Sequence, residues 1–215
     1  RQLPDRSSPY LRRLNNRQVA ARVCVSIGRF YTSVVRERML SGLAEGQEGR
    51  EFVSANLQQA FSFLHVAVLL DEKDFTAPKA RASLYDLLDK TKEAERDYQT
   101  ALARYGQDVE CRYLYGKMLI GLDDDKAQSL LKALLDDKAG HASAWTALGQ
   151  LQFERGDYNS ALASYKKALS FEAKHPGANA AMGRLLAKAG RDEEAEAAFS
   201  LAAQAQPKVQ NHYIE

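Results

Sequence analysis

The chain has 215 residues, 45% of them hydrophobic and 27% charged, a balance that suits an ordered core and excludes a disordered chain. Its two cysteines, Cys24 and Cys111, have no second Cys or His at ligand spacing, which excludes a disulfide scaffold and leaves too few soft ligands for zinc. The net charge of +2 hides an asymmetry, because nine arginines and only two acids fall in residues 1–38 while the remainder is net acidic.

Residues 1–16 read as an extended basic arm. Pro4 and Pro9, the pair Ser7-Ser8 and Asn15-Asn16 oppose a long helix, and Arg1, Arg6, Arg12 and Arg13, continued by Arg17, make the segment strongly basic. Arginine-rich, serine-bearing and acid-poor, this start resembles a mitochondrial targeting region, and no initiator methionine precedes Arg1. The expectation is a mitochondrial protein, with a cytoplasmic location as the alternative, whose arm docks on an acidic neighbour.

Residues 17–74 read as a long helix hairpin: a first helix over 18–43, a glycine-rich turn at 45–49 and a second helix over 51–70. Cys24 lies in the apolar run 23–27, as a small buried hydrophobe. The most apolar run, 61–70, is ten residues long, short of the roughly 20 that a membrane span needs, so no span is expected.

From residue 75 onward the pattern becomes periodic. At the C-terminal end Gly149 and Gly183 lie 34 residues apart, as do Gly156 and Gly190, Ala161 and Ala195, Tyr165 and Phe199, and Ala168 and Ala202. Within 142–175, Trp145, Leu148, Gly149 and Leu151 make one helical face, Gly156-Asp157 breaks it, and Ala161, Tyr165, Ala168 and Leu169 make another. Small residues at 149 and 161 allow two antiparallel helices to approach closely, and Tyr165 fills the space one turn later. Stepping back by 33 or 34 residues from Ala161 reaches Ala127, Ala94 and Ala60. Second helices are thus expected at 51–70, 92–105, 126–137, 158–171 and 192–204, with first helices at 78–88, 109–120, 144–154 and 177–189.

The run W-x2-L-G followed by G-x-Y-x2-A-x3-Y-x2-A over 145–168 resembles the tetratricopeptide repeat. The second copy carries Gly183, Ala195 and Phe199, and ends at Pro207. It departs from the family pattern at Asn179, where an aromatic is expected, and at Asp192 in place of Tyr. The resemblance covers about 51–209: two clear repeats in 142–209, two degenerate ones in 75–141, a single helix before that, and a tail at 210–215. It implies an all-α, right-handed superhelical solenoid of stacked antiparallel helix hairpins, with first helices lining a concave groove. In the family frame Arg112, Thr146, Gln150, Phe153, Arg184 and Lys188 face that groove. The lysine–asparagine pair with which chaperone-binding members hold a peptide's terminal carboxylate has no counterpart in the clear repeats.

No glycine-rich phosphate loop, nucleophile elbow or His-Glu-x2-His helix occurs. His65 lies on an apolar helix face, and His141 and His175 occupy equivalent repeat positions, where turn packing accounts for them better than a metal. The acidic runs 123–125 and 192–194 open helices, where negative charge suits the dipole and the cap. With no cofactor implied, the chain is expected to be a non-catalytic interaction scaffold, a structural subunit whose protein partners present acidic surfaces. The alternatives are a transient peptide-binding adaptor or assembly factor, and an RNA-associated subunit using the basic arm. Past Pro207 too few residues remain for a capping helix, so an exposed last face is expected around Ala198, Leu201, Ala202 and Ala205.

Overall fold

The computed structural model describes residues 16–205. The basic-arm arginines Arg1, Arg6, Arg12 and Arg13, together with Pro207 and the 210–215 tail, lie outside the described residues. Among the described residues there are ten helices and no strand: α1 (Asn16–Leu40), α2 (Gly46–Leu70), α3 (Thr76–Leu87), α4 (Thr91–Arg104), α5 (Val109–Leu119), α6 (Asp124–Asp137), α7 (Ala142–Glu154), α8 (Tyr158–Phe171), α9 (Pro176–Lys188) and α10 (Asp192–Ala205). The chain divides into two compact units, Arg1–Gln107 and Asp108–Glu215.

In the first unit α1 pairs with α2 and α3 with α4, and α3 packs on both helices of the first hairpin. Its core is built from Val25 of α1, Ala60, Leu64 and Ala67 of α2, and Ala77, Ala80 and Leu84 of α3. In the second unit the pairs are α5 with α6, α7 with α8 and α9 with α10, the second hairpin resting on the first and the third on the second. This is the all-α stack of antiparallel hairpins that the periodicity implies. Strong helix formers fill the helices, and their small residues fall at the crossings: Ala60, Ala94, Ala101, Ala127, Ala161 and Ala168 are fully buried.

Turn chemistry sets the boundaries. Gly121, Gly156 and Gly190 come after the first helix of successive hairpins at φ +81°, +80° and +71°, where an L side chain would be strained. Asp108, Asp123 and Asp157 then cap α5, α6 and α8, their carboxylates accepting the backbone N–H groups of Cys111, Lys126 and Ser160.

The first hairpin differs from the sequence expectation in two ways. The chain reverses over residues 41–45, and residues 46–49, expected as turn, form the first turn of α2. Gly49 is needed there because a Cβ would lie 2.6 Å from the Leu43 carbonyl oxygen: its glycine serves close approach rather than reversal. Secondly, α2 is by length and composition long and apolar enough to cross a membrane, which corrects the expectation that no segment could. Counting only the run 61–70 missed the uncharged residues before it. Here that helix pairs with α1 along the hairpin and supplies Ala60, Leu64 and Ala67 to the core.

The candidate partner-binding groove

The second unit positions the groove by a repeated contact between the two helices of a hairpin. A Cβ built on Gly149 would meet the Tyr165 ring at 2.5 Å, and one on Gly183 would meet the Phe199 ring at 2.8 Å. The same slot is occupied by Gly116 against Leu131 and, in the first unit, by Gly28 against Leu64. Tyr165 and Ala161 are buried, and burial pushes the Tyr165 hydroxyl up to about 12. Ala195 is likewise buried, whereas Phe199 remains 42% exposed.

The turn between hairpins is held by side chains that sequence reading left as packing. Trp145 sits half-buried, and its indole N–H donates to the Ala139 carbonyl at 2.7 Å. Asn179, which replaces the expected aromatic one repeat later, donates its amide to the equivalent Ala173 carbonyl at 3.1 Å and to the His175 carbonyl at 3.1 Å. The amide thus supplies the same hydrogen bond as the indole without its bulk. His141 and His175 are N-caps: their Nδ1 atoms accept the backbone N–H of Ala144 at 3.1 Å and Ala178 at 3.0 Å. That acceptor role leaves the ring proton on Nε2, and in His175 that nitrogen meets the Ser143 hydroxyl at 2.9 Å. Burial, with a smaller contribution from Lys138, lowers the His141 pKa below its ordinary value. Among the described residues no three His, Cys, Asp or Glu side chains gather where a metal could be held. His65 is exposed and bonds Arg81 at 3.2 Å, beside the bidentate pair that Arg81 makes with Asp97 at 2.6 and 2.8 Å.

Five of the six groove candidates lie on α7 and α9, which pack on each other. Thr146, Gln150 and Phe153 are half-buried on α7, while Arg184 and Lys188 are exposed on α9. Thr146 returns its hydroxyl to the Ala142 carbonyl, and Gln150 donates to Glu154 at 3.1 Å. The Lys188 ammonium stands 5.9 Å from the Phe153 ring and 5.3 Å from the Tyr158 ring, close enough for cation–π attraction to favour that position. Arg184 lies near enough to Tyr165 for its charge to act on the Tyr165 hydroxyl, as does that of Glu154. The arrangement offers one cation, Lys188, over two aromatic rings, with Arg184 and Glu154 both close enough to act on the Tyr165 hydroxyl. The sixth candidate, Arg112, is placed otherwise: it bonds the Asp137 carboxylate and the Ala133 carbonyl, and its side chain is only 15% exposed. It braces α5 against α6.

The last hairpin also differs from the expected bare end. Ala198 and Ala202 are each only 7% exposed, and α10 packs along α9. Leu201, at 45%, and Phe199, at 42%, are the large apolar residues left open on α10.

A family model described as the tetratricopeptide repeat matches residues 152–213. No curated protein matches the chain in sequence. Among solved structures the chain is similar to the Pseudomonas aeruginosa protein pilF, at 20% identity and TM-score 0.63, covering 85% of this chain and 78% of that one. It is also similar to TTC0263, a thermophilic tetratricopeptide-repeat protein of Thermus thermophilus, at 21% identity and TM-score 0.64, covering 74% and 88%. YrrB, described as a tetratricopeptide-repeat protein with an unusual peptide-binding site, matches at 19% identity and TM-score 0.53, covering 81% and 93%. Residues 152–213 thus match the tetratricopeptide repeat in sequence, and the chain shares the stacked-hairpin fold of these structures.

Proposed function

We propose that this chain is a non-catalytic scaffold, a structural subunit of a larger protein assembly, that holds an acidic segment of its partner along α7 and α9. The observation that carries the reading is the exposed Lys188 standing over the half-buried Phe153 ring, on the helix that also exposes Arg184. A carboxylate-bearing peptide laid there would meet two cations, an aromatic surface and the Gln150 amide. The fold supports such a role, since stacked hairpins present extended surfaces, and YrrB is described as having a peptide-binding site on the same fold.

The test is fluorescence anisotropy with a labelled peptide of alternating Glu and Leu, beside its Lys–Leu counterpart. The acidic peptide should bind and the basic one should not. Arg184→Glu and Lys188→Glu should each weaken binding about five- to tenfold, the order expected for reversing one exposed charge. Equal binding of both peptides, or no effect of either substitution, would remove the groove from consideration. A transient adaptor would use the same groove, and purification at native abundance separates the two roles: a subunit stays stoichiometric with its assembly and an adaptor does not. The mitochondrial location rests on the arginine-rich, acid-poor composition of residues 1–38. A reporter fused behind these residues that stays in the cytosol would count against it.

A further inference from the structure

The repeat register allows the two ends of the chain to be compared with its interior. Inside the second unit, Phe153, Leu162 and Leu169 of α7 and α8 pack on a core to which the next hairpin contributes Ala181, Met182 and Leu185. Leu169 also reaches the cluster that contains Ala178. Thirty-four residues later, where a further hairpin would stack, the counterparts are Ala187, Glu196 and Ala203, all exposed. At the other end, Gly28 of α1 holds the slot that Gly183 holds on α9, since a Cβ on either would strike the side chain of its partner helix. In that register Val23, Ile27 and Phe30 of α1 stand where Ala178, Met182 and Leu185 stand on α9. The α9 residues are 0%, 9% and 7% exposed, whereas Val23 is 51% and Phe30 61% exposed. Bulk missing from the last hairpin is therefore present, uncovered, on the first.

Charge is divided in the same way. Helix α10 carries Asp192, Glu193, Glu194 and Glu196 and no base. Helix α1 carries Arg17, Arg22, Arg29, Arg36 and Arg38 against the single acid Glu37. Two α1 faces brought together would set arginine against arginine, while α10 against α1 sets carboxylates against guanidinium groups.

We propose that a second copy of this chain covers the open face of α1, the α9–α10 end of one copy stacking on the α1–α2 end of the next. Ala187 and Ala203 on the one end receive Val23, Ile27 and Phe30 on the other, and the carboxylates of Asp192, Glu193 and Glu196 pair with the arginines of α1, Glu194 being held by Arg191. A contact between two different surfaces is heterologous, so it propagates into a filament or closes into a ring. The inference rests on the repeat register and does not depend on the groove of α7 and α9.

The experiment is sedimentation velocity of the full chain between about 1 and about 100 µM, the range in which a micromolar contact becomes populated. The wild type should grow with concentration, and less so in added salt. Phe30→Glu blocks the first end and Ala203→Arg the last; both sites are exposed, so circular dichroism should show both variants folded. Each alone should remain monomeric. Their equimolar mixture should form dimers and grow no further, because each pair has one intact end of each kind. Val23→Glu should behave as Phe30→Glu does. A wild type that stays monomeric throughout, or an Ala203→Arg variant that assembles like the wild type, would overturn the proposal.

Discussion

The hairpins α7–α8 and α9–α10 share a 34-residue pattern but not an environment. Tyr165 is 1% exposed and Phe199 42%, although each fills the slot beside a glycine of its partner helix. The difference lies in the neighbour on the C-terminal side. The core around Tyr165 is completed by Met182, Leu185 and Leu186 of the next hairpin, whereas α10 is the last described helix. A repeat pattern therefore specifies contacts within a hairpin, while the rigidity of those contacts depends on whether a neighbour covers them.

Substitutions at matched positions should break the likeness between the two hairpins. Ala161→Leu should cost about 1–3 kcal/mol by overpacking a closed core, and Ala195→Leu distinctly less, because Phe199 can move aside. Urea denaturation of both variants reads the difference, and equal costs would mean that α10 is held as tightly as α8. A finer contrast comes from glycine. Gly149→Ala gains up to about 1 kcal/mol of helix propensity but drives a methyl into the fixed Tyr165 ring, so it should destabilise overall. Gly183→Ala meets a ring free to swing away and should stay within about 0.5 kcal/mol of wild type.

The histidine caps sharpen the comparison, because the two hairpins agree there. His141→Ala and His175→Ala should each cost about 0.5–2 kcal/mol, with Asn restoring most of the loss. The cap also carries a pH dependence whose sign can be derived. The folded His141 pKa is depressed below its ordinary 6.5, so folding favours the neutral ring. Its contribution is complete above pH 6.5 and shrinks as pH falls through that value, until the folded group protonates as well. Stability measured from about pH 8 down to about pH 5 should therefore fall more steeply in the wild type than in His141→Asn. Parallel curves would mean that the ring does not act through its neutral Nδ1.

Much of the fold is legible in the sequence because helix hairpins are local objects. Gly156 and Gly190 announce left-handed turns, Asp157 a cap, and the spacing of Ala161, Tyr165 and Ala168 a helix face, all from residues near one another in the chain. Gly49 in the first hairpin misled for the same reason: nearby sequence shows that a chain can turn, as it does at Gly46 with φ +78°, but not that Gly49 is needed for contact with the Leu43 backbone.

By itself the sequence determined the helices, their pairing at the 34-residue spacing and the small-residue slots, because propensity, periodicity and turn chemistry act over a few residues. Only the tertiary structure decided that Arg112 is engaged by Asp137 while Lys188 stands over two aromatic rings. It likewise decided that Asn179 repeats the hydrogen bond of Trp145, and that Val23 and Phe30 stay uncovered where α9 buries their counterparts. The physical reason is that burial and partner choice are set by neighbours in space, and for one helix pattern those neighbours differ between the interior of a stack and its ends.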